Sequence, residues 1–183
     1  MQAMRILALV MLLLPFNLLA DEKLWQLLER GGQVVLIRHT ITVPGVGDPP
    51  GMKLEDCASQ RNLSEAGRAH ARRIGAEMRK RQIPLGRVLS SPWCRCVETA
   101  QLAFGKAEVA EPLSNLFGRP EKREAQVKAM RGLLRAEKAN RILVSHGSTI
   151  SALTGVYLGT GEMVVVTPAG SGEFSVAGRL SLE

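Results

Sequence analysis

The chain has 183 residues, 45% of them hydrophobic and 22% charged, with a formal charge of +7. This composition excludes a disordered or fibrous chain and leaves room for one domain with a full core. The positive balance suits phosphorylated ligands or anionic headgroups; it does not point to nucleic acid, because the aromatics are only seven and none interleaves with the basic run.

Residues 1–20 carry one charge, Arg5, and an unbroken apolar run from Ile6 to Leu14 before Leu18-Leu19-Ala20 and the charged Asp21-Glu22-Lys23. They read as a secretory signal, too short in its apolar part for a comfortable membrane span. The expectation is an exported protein, periplasmic or secreted, with residues 21–183 as its one domain and no stable membrane span after cleavage. An uncleaved amino-terminal anchor is the alternative. Removing Arg5 with the signal lowers the formal charge from +7 to +6.

Asp21 to Arg30 should form a short helix closed by Gly31-Gly32. Val34-Val35-Leu36-Ile37 is then a strand buried on both faces, and it ends abruptly in Arg38-His39. From Val43 to Arg61 the chain is irregular, with three Pro and three Gly, and a loop of that length in a compact domain is usually functional. It should wall whatever site the strand end belongs to. Ser64 to Gln82 is an amphipathic helix with Ala66, His70, Ile74 and Met78 on its inner stripe, which makes His70 a packed histidine rather than a catalytic one. Its cationic stretch, Arg68 to Arg81, reads as a solvated face, with a contact to anionic envelope material as the lesser alternative.

A second strand, Arg87-Val88-Leu89-Ser90, runs into Ser91-Pro92, and Arg95 falls in the first turn of the helix that follows. Pro120 to Lys138 is expected as a helix. A third strand, Arg141-Ile142-Leu143-Val144, ends in Ser145-His146-Gly147, and Ser148 to Thr154 forms a short helix after it. Strands over Met163 to Thr167 and Phe174 to Leu182 complete the chain. The β-α-β alternation predicts an α/β fold, a mainly parallel sheet flanked by helices on both faces. Ligands of such sheets sit at the carboxyl ends of the strands. Arg38, His39, Arg95 and His146 all lie there beside helix amino-termini, a set of guanidinium forks, imidazoles and backbone N–H groups suited to a tetrahedral dianion.

Arg38-His39, Ser91-Pro92-Trp93-Cys94-Arg95 and His146-Gly147 stand in this order, with Asn62-Leu63-Ser64-Glu65-Ala66-Gly67-Arg68 between the first two. The set resembles the histidine phosphatase superfamily, the phosphoglycerate-mutase-like fold, over roughly residues 33 to 180. The resemblance implies a phosphomonoesterase in which His39 is the nucleophile and a phosphohistidine the intermediate. Arg38, Arg95 and His146 would hold the phosphoryl oxygens, and Thr42 stands where the family commonly places a hydroxyl on phosphate. A mutase is disfavoured, because the chain is short and lacks the longer insertions of those members. The alternative to an enzyme is a non-catalytic phosphate- or phosphosugar-binding protein on the same fold.

That alternative has a motive. Many members supply a glutamate as general acid after the third strand, and here the corresponding residue is Asn115, which has no labile proton. Glu162 is the replacement candidate, since in the family the strand it begins runs beside the first strand and antiparallel to it. Asp56 and Glu55 of the long loop come next, and Glu98 reads as structural within its helix. No set of Asp, Glu, His or Cys has metal-ligand spacing, and no cofactor is implied. The expected partner is a small phosphorylated substrate, with an envelope sugar phosphate suiting the compartment. Oligomeric state is left open. Cys57, Cys94 and Cys96 are an odd number for an oxidising compartment. Either Cys94 or Cys96 could bond Cys57, or the thiols stay free and buried.

Overall fold

A computed structural model of the chain describes residues 16–182. The leader expected over residues 1–20 therefore lies outside the described residues as far as residue 15. Helix α1, Phe16–Glu29, runs through the expected cleavage point, beginning earlier than the sequence suggested. No helix among the described residues is long and apolar enough to cross a membrane.

Six strands form one sheet: β1 (Val34–Arg38), β2 (Leu85–Ser90), β3 (Glu108–Val109), β4 (Asn140–Ser145), β5 (Met163–Gly170) and β6 (Glu173–Leu180). Their order is β3-β2-β4-β1-β5-β6. The first four strands are mutually parallel, whereas β5 pairs β1 in the antiparallel sense and β6 continues that hairpin. Strand β1 thus lies inside the sheet between β4 and β5, and β4 and, beyond it, β2 run the same way as β1. That parallelism brings Arg38, Ser145 and Ser90 to one edge, so each strand delivers its polar continuation to the same side of the molecule.

Alternation along β1 explains why helices cover both faces. Val35 and Ile37 point into one core, with Leu24, Trp25 and Leu28 of α1, Ile74 and Met78 of α2 (Glu65–Lys80), and Cys96 and Ala100 of α3 (Cys94–Phe104). Val34 and Leu36 point into the other, with Met130 of α4 (Arg123–Arg131) and Ile150 and Leu153 of α5 (Gly147–Thr154). Each of these buried aliphatics contributes about 1.5–3 kcal/mol by leaving water. Helices α2 and α3 pack closely through Gly75, where a Cβ would come within 1.9 Å of the Ala103 carbonyl oxygen. Ser64 caps α2, its hydroxyl accepting from the Gly67 N–H at 3.1 Å.

One helix is shorter than its sequence pattern suggests. Instead of a helix over Pro120–Lys138, a 3-10 turn over Pro120–Lys122 leads into α4, which stops at Arg131. Gly132 is a poor helix former, and beyond it the chain turns in so that Leu134 is buried and Glu137 pairs with the buried Arg141 of β4. On the cationic stretch of α2 Arg68 meets Glu65 and Glu98, and Arg81 meets Glu77 and Glu22, while Arg72 and Arg73 stand exposed to solvent. The Arg68–Glu98 contact also gives Glu98 its structural place, between α2 and α3. His70 is buried against Gly161, and its Nε2 has no protein partner.

Candidate active site

Where β1 ends, the backbone carries His39 under the sheet edge, 4% exposed. Its Nδ1–H donates to the carbonyl of Thr40 at 2.9 Å, which fixes the tautomer and leaves the Nε2 lone pair without a protein partner. Burial, opposed by the Thr40 bond and reinforced by Arg95, Arg38 and Arg61, pushes the His39 pKa down to about 3. The imidazole is therefore neutral at any ordinary pH. Arg38 donates from Nη1 to the Leu158 carbonyl at 2.8 Å, so its fork is steered by the loop before β5. At Gly147 the absent side chain leaves room for Arg38, whose Cδ and Nε would lie 3.4 Å from a Cβ there.

Arg95 sits in the first turn of α3, 1% exposed, and its two terminal nitrogens meet both oxygens of Asp48 at 2.6 and 3.2 Å. Asp48 comes from the long loop, where it also accepts from the Trp93 indole N–H at 3.0 Å and from the Arg61 backbone N–H at 3.2 Å. Burial works to raise its pKa, but the Arg95 bonds outweigh it and hold the carboxyl below its usual range. Arg61 adds a third guanidinium; burial and the neighbouring charges of Arg95 and Arg38 lower its pKa, against a smaller pull from Asp48. Arg38, Arg61 and Arg95 each keep a buried Nε–H without a protein acceptor. Unpaired buried donors are costly, and three of them together are what an oxyanion would satisfy.

His146 faces His39 edge-on, with ring centroids 5.5 Å apart. Both of its ring nitrogens are occupied: Nε2 lies 2.8 Å from the Ser91 hydroxyl, and Nδ1 lies 3.4 Å from Nη2 of Arg95. An arginine can only donate, so Nδ1 accepts and Nε2–H donates to Ser91. Burial, with His39 and the arginines, drives the His146 pKa well below its usual value. The ring thereby braces the Arg95 fork.

These groups line a cleft of about 710 Å³ that opens between the loop over Gly45–Gly47, the segment from Asn115 to Arg123 and the start of α5. Of the residues singled out from the sequence, Arg38, His39, Arg95, His146 and Asn115 line it. Thr42 does not; it pairs with Leu63 in an isolated β-bridge. Glu162 begins β5 beside β1, but its carboxylate accepts from the Gly159 N–H and from Arg179, both at 2.6 Å, and it is absent from the cleft wall. It reaches the site only as a nearby charge on Arg38. Asp56 caps a 3-10 turn by accepting from the Ala58 N–H, and Glu55 is exposed in the same loop. The side-chain oxygen of Asn115 accepts from the Ser148 hydroxyl at 3.1 Å. Asp48, Arg61, Arg119 and Arg123 are not marked by the sequence; they lie in the irregular loop, just before Pro120 and in the expected long helix, where no periodic signal points inward.

The loop is tied to α3 by a disulfide between Cys57 and Cys94, with Cα atoms 5.7 Å apart, while Cys96 is a free thiol. Burial pushes that thiol up to about 12, which makes it inert. No group of three or more His, Cys, Asp and Glu among the described residues could hold a metal ion.

The family model of the histidine phosphatase superfamily (branch 1) matches residues 34–115, from the start of β1 to Asn115. That match spans β1, α2, β2 and α3, the part of the fold that carries Arg38, His39 and Arg95. Solved structures share its fold. The protein histidine phosphatase SixA complexed with tungstate aligns with a TM-score of 0.60 and 21% identity, covering 81% of this chain and 96% of that one. The mycobacterial glucosyl-3-phosphoglycerate phosphatase aligns at 0.59 and 18% identity, covering 80% and 97%. Phosphoserine phosphatase from Entamoeba histolytica, in complex with 3-phosphoglyceric acid, aligns at 0.61 and 14% identity, covering 82% and 98%. Among curated proteins no sequence relative matches. From the matched segment, Arg38, His39, Arg61, Arg95 and Asn115 converge on the cleft.

Proposed function

We propose that the protein is a phosphatase that passes a phosphoryl group first to His39 and then to water. The observation that carries this reading is the His39 tautomer: a neutral imidazole, donating from Nδ1, with a free lone pair on Nε2 beside three arginines. In the first step Nε2 forms a bond to phosphorus while the bond to the leaving group breaks and the leaving group takes the electron pair. Arg38, Arg61 and Arg95 compensate the charge on the phosphoryl oxygens in flight. In the second step water attacks phosphorus, the N–P bond breaks, its electron pair returns to Nε2 and inorganic phosphate departs. The same tautomer favours an enzyme over a mere phosphosugar-binding protein, because binding alone has no use for an unoccupied imidazole lone pair.

No Asp or Glu lines the cleft among the described residues, and Asn115 stands where a proton donor would help an alcohol leave. This favours leaving groups that need little protonation, such as phenolates or the nitrogen of a phosphoramidate. The reading also places the enzyme in an oxidising compartment outside the cytoplasm, supported by the Cys57–Cys94 bond and the apolar leader. A phosphoramidate fits this site better than the phosphorylated envelope sugar that the compartment suggests, because the sugar leaves as an alcohol.

Rapid quenching of the enzyme with p-nitrophenyl phosphate, followed by peptide mass spectrometry, should find acid-labile phosphate on His39. His39→Ala should abolish both the label and turnover, and Arg38→Ala or Arg95→Ala should each cost on the order of a hundredfold in kcat. Full activity in His39→Ala would overturn the mechanism.

A further inference from the structure

The cleft is larger than a phosphoryl group requires. At about 710 Å³ it falls in the range of pockets that enclose whole small-molecule ligands, so the leaving portion of the substrate lies inside it too. The inner end is held by Arg38, Arg61 and Arg95. The outer wall is built by the segment that follows Asn115 and contributes two more guanidiniums, Arg119 and Arg123, so five arginines line one cleft with no carboxylate among its lining residues.

Elsewhere Arg68, Arg81, Arg87, Arg131 and Arg179 each meet a glutamate, whereas Arg30, Arg72, Arg73, Arg79 and Arg135 are in no ion pair of the described residues. Arg119 and Arg123 are in no ion pair of the described residues either, so what sets them apart is their place on the cleft wall. Arg119 is nonetheless held in place. Its guanidinium lies over the Trp93 ring, 5.6 Å from the centroid, and Trp93 is the residue that caps the Arg95 helix. Gly118, at φ +72°, and Pro120 fix the turn that presents it. Beside the two arginines stand aromatic rings of unusual exposure, Phe117 at 61% and Tyr157 at 79%, both on the cleft wall. Arg119 and Arg123, with Phe117 and Tyr157 on the same cleft wall, add a cationic and an aromatic surface to the phosphoryl fork.

We propose that Arg119 and Arg123 form a second anion subsite, so that the substrate carries a further phosphate or carboxylate on its leaving portion, with its body against Phe117 and Tyr157. The proposal rests on the phosphoryl site described above and names the class of substrate that site takes: doubly anionic small molecules rather than simple monoesters.

Binding of non-hydrolysable phosphonates to the wild-type protein tests it without requiring turnover. Alkylphosphonates with three- and six-carbon chains would be compared by calorimetry in 0.15 M salt, each with a plain end, a carboxylate end or a second phosphonate end. At least one spacer length should give a doubly anionic ligand that binds about tenfold or more tightly than its plain counterpart. The stronger of the two end groups identifies the second anion. In the Arg119→Gln/Arg123→Gln double variant that advantage should vanish, while the plain phosphonates keep their affinity to within about threefold, since they carry no second anion for the two arginines to meet. Equal loss for all ligands would reduce the two arginines to general attraction, and no preference in the wild type would overturn the subsite. If the His39 label failed to form while this preference held, the chemistry proposed above would fall and the subsite would stand.

Discussion

Asp48 holds Arg95 by both oxygens, and nothing in the sequence marked it, because it lies in an aperiodic Pro/Gly loop with no motif around it. It plays two opposed parts. It fixes the fork of a buried arginine, and it brings a negative charge beside the phosphoryl site. Asp48→Asn should therefore split the kinetic constants. Inorganic phosphate should inhibit several-fold more tightly once the like charge is gone, while kcat falls on the order of tenfold as Arg95 loses its alignment. Melting should also move down, because a buried guanidinium left without its carboxylate costs about 3–5 kcal/mol. Unchanged kcat and phosphate inhibition would show that the pair is only a structural clamp. Glu162 is the converse case: its place beside β1 was legible, but Arg179 and the Gly159 N–H claim its carboxylate, and the identity of a side chain's partners is not written in its own position.

At the scale of elements, the strand ends and helix starts that carry Arg38-His39, Arg95 and His146 follow from local signals: apolar runs that stop at a polar pair, Ser-Pro at a helix start, Gly after a strand. The loop over Val43–Arg61 is different, since its path is set by what it is fastened to. Cys57 bonds Cys94 at the amino end of α3, and the Gln60 side chain accepts from the Cys94 N–H at 3.0 Å, so loop and helix move as one. The bond closes a loop with a sequence separation of 37. Its removal in Cys57→Ser/Cys94→Ser should cost about 2–4 kcal/mol of stability. Because Asp48 rides on the same loop and aligns Arg95, the variant should also lower kcat and become sensitive to proteolysis between Val43 and Arg61. Limited proteolysis with and without reductant reads the second effect directly; a cleavage pattern indifferent to the bond would show that the loop is held by its other contacts.

For the whole molecule, the consequence of burying all three histidines is sensitivity to acid. An unfolded histidine titrates near 6.5, whereas His39 in the folded chain has been pushed down to about 3 and His146 well below its usual value. Between those limits the unfolded chain binds more protons than the folded one, so stability present above pH 6.5 is lost as pH falls. His39 and His146 each contribute about 1.4 kcal/mol per pH unit once well below 6.5. Urea unfolding at pH 7, 6 and 5 should show this decline, and His39→Asn should flatten it by the share that His39 contributes, leaving those of His146 and His70. A slope unaffected by that substitution would mean that His39 titrates normally in the folded state.

The α/β class, the covering of both faces and the four motif residues around the cleft were determined by the sequence alone, because period and punctuation are local properties: Val34 to Ile37 is buried on both sides wherever it sits, and a strand that ends in Arg38-His39 must leave both at an edge. The order of the strands, the choice of Cys94 over Cys96 for Cys57, the end of α4 at Arg131 and the seats of Asp48, Arg61, Arg119 and Arg123 were decided only by tertiary structure. Each of those depends on which distant segment lies opposite. Cys94 and Cys96 are two residues apart on one helix start, and only the fold turns one toward the loop and the other into the core beside His146.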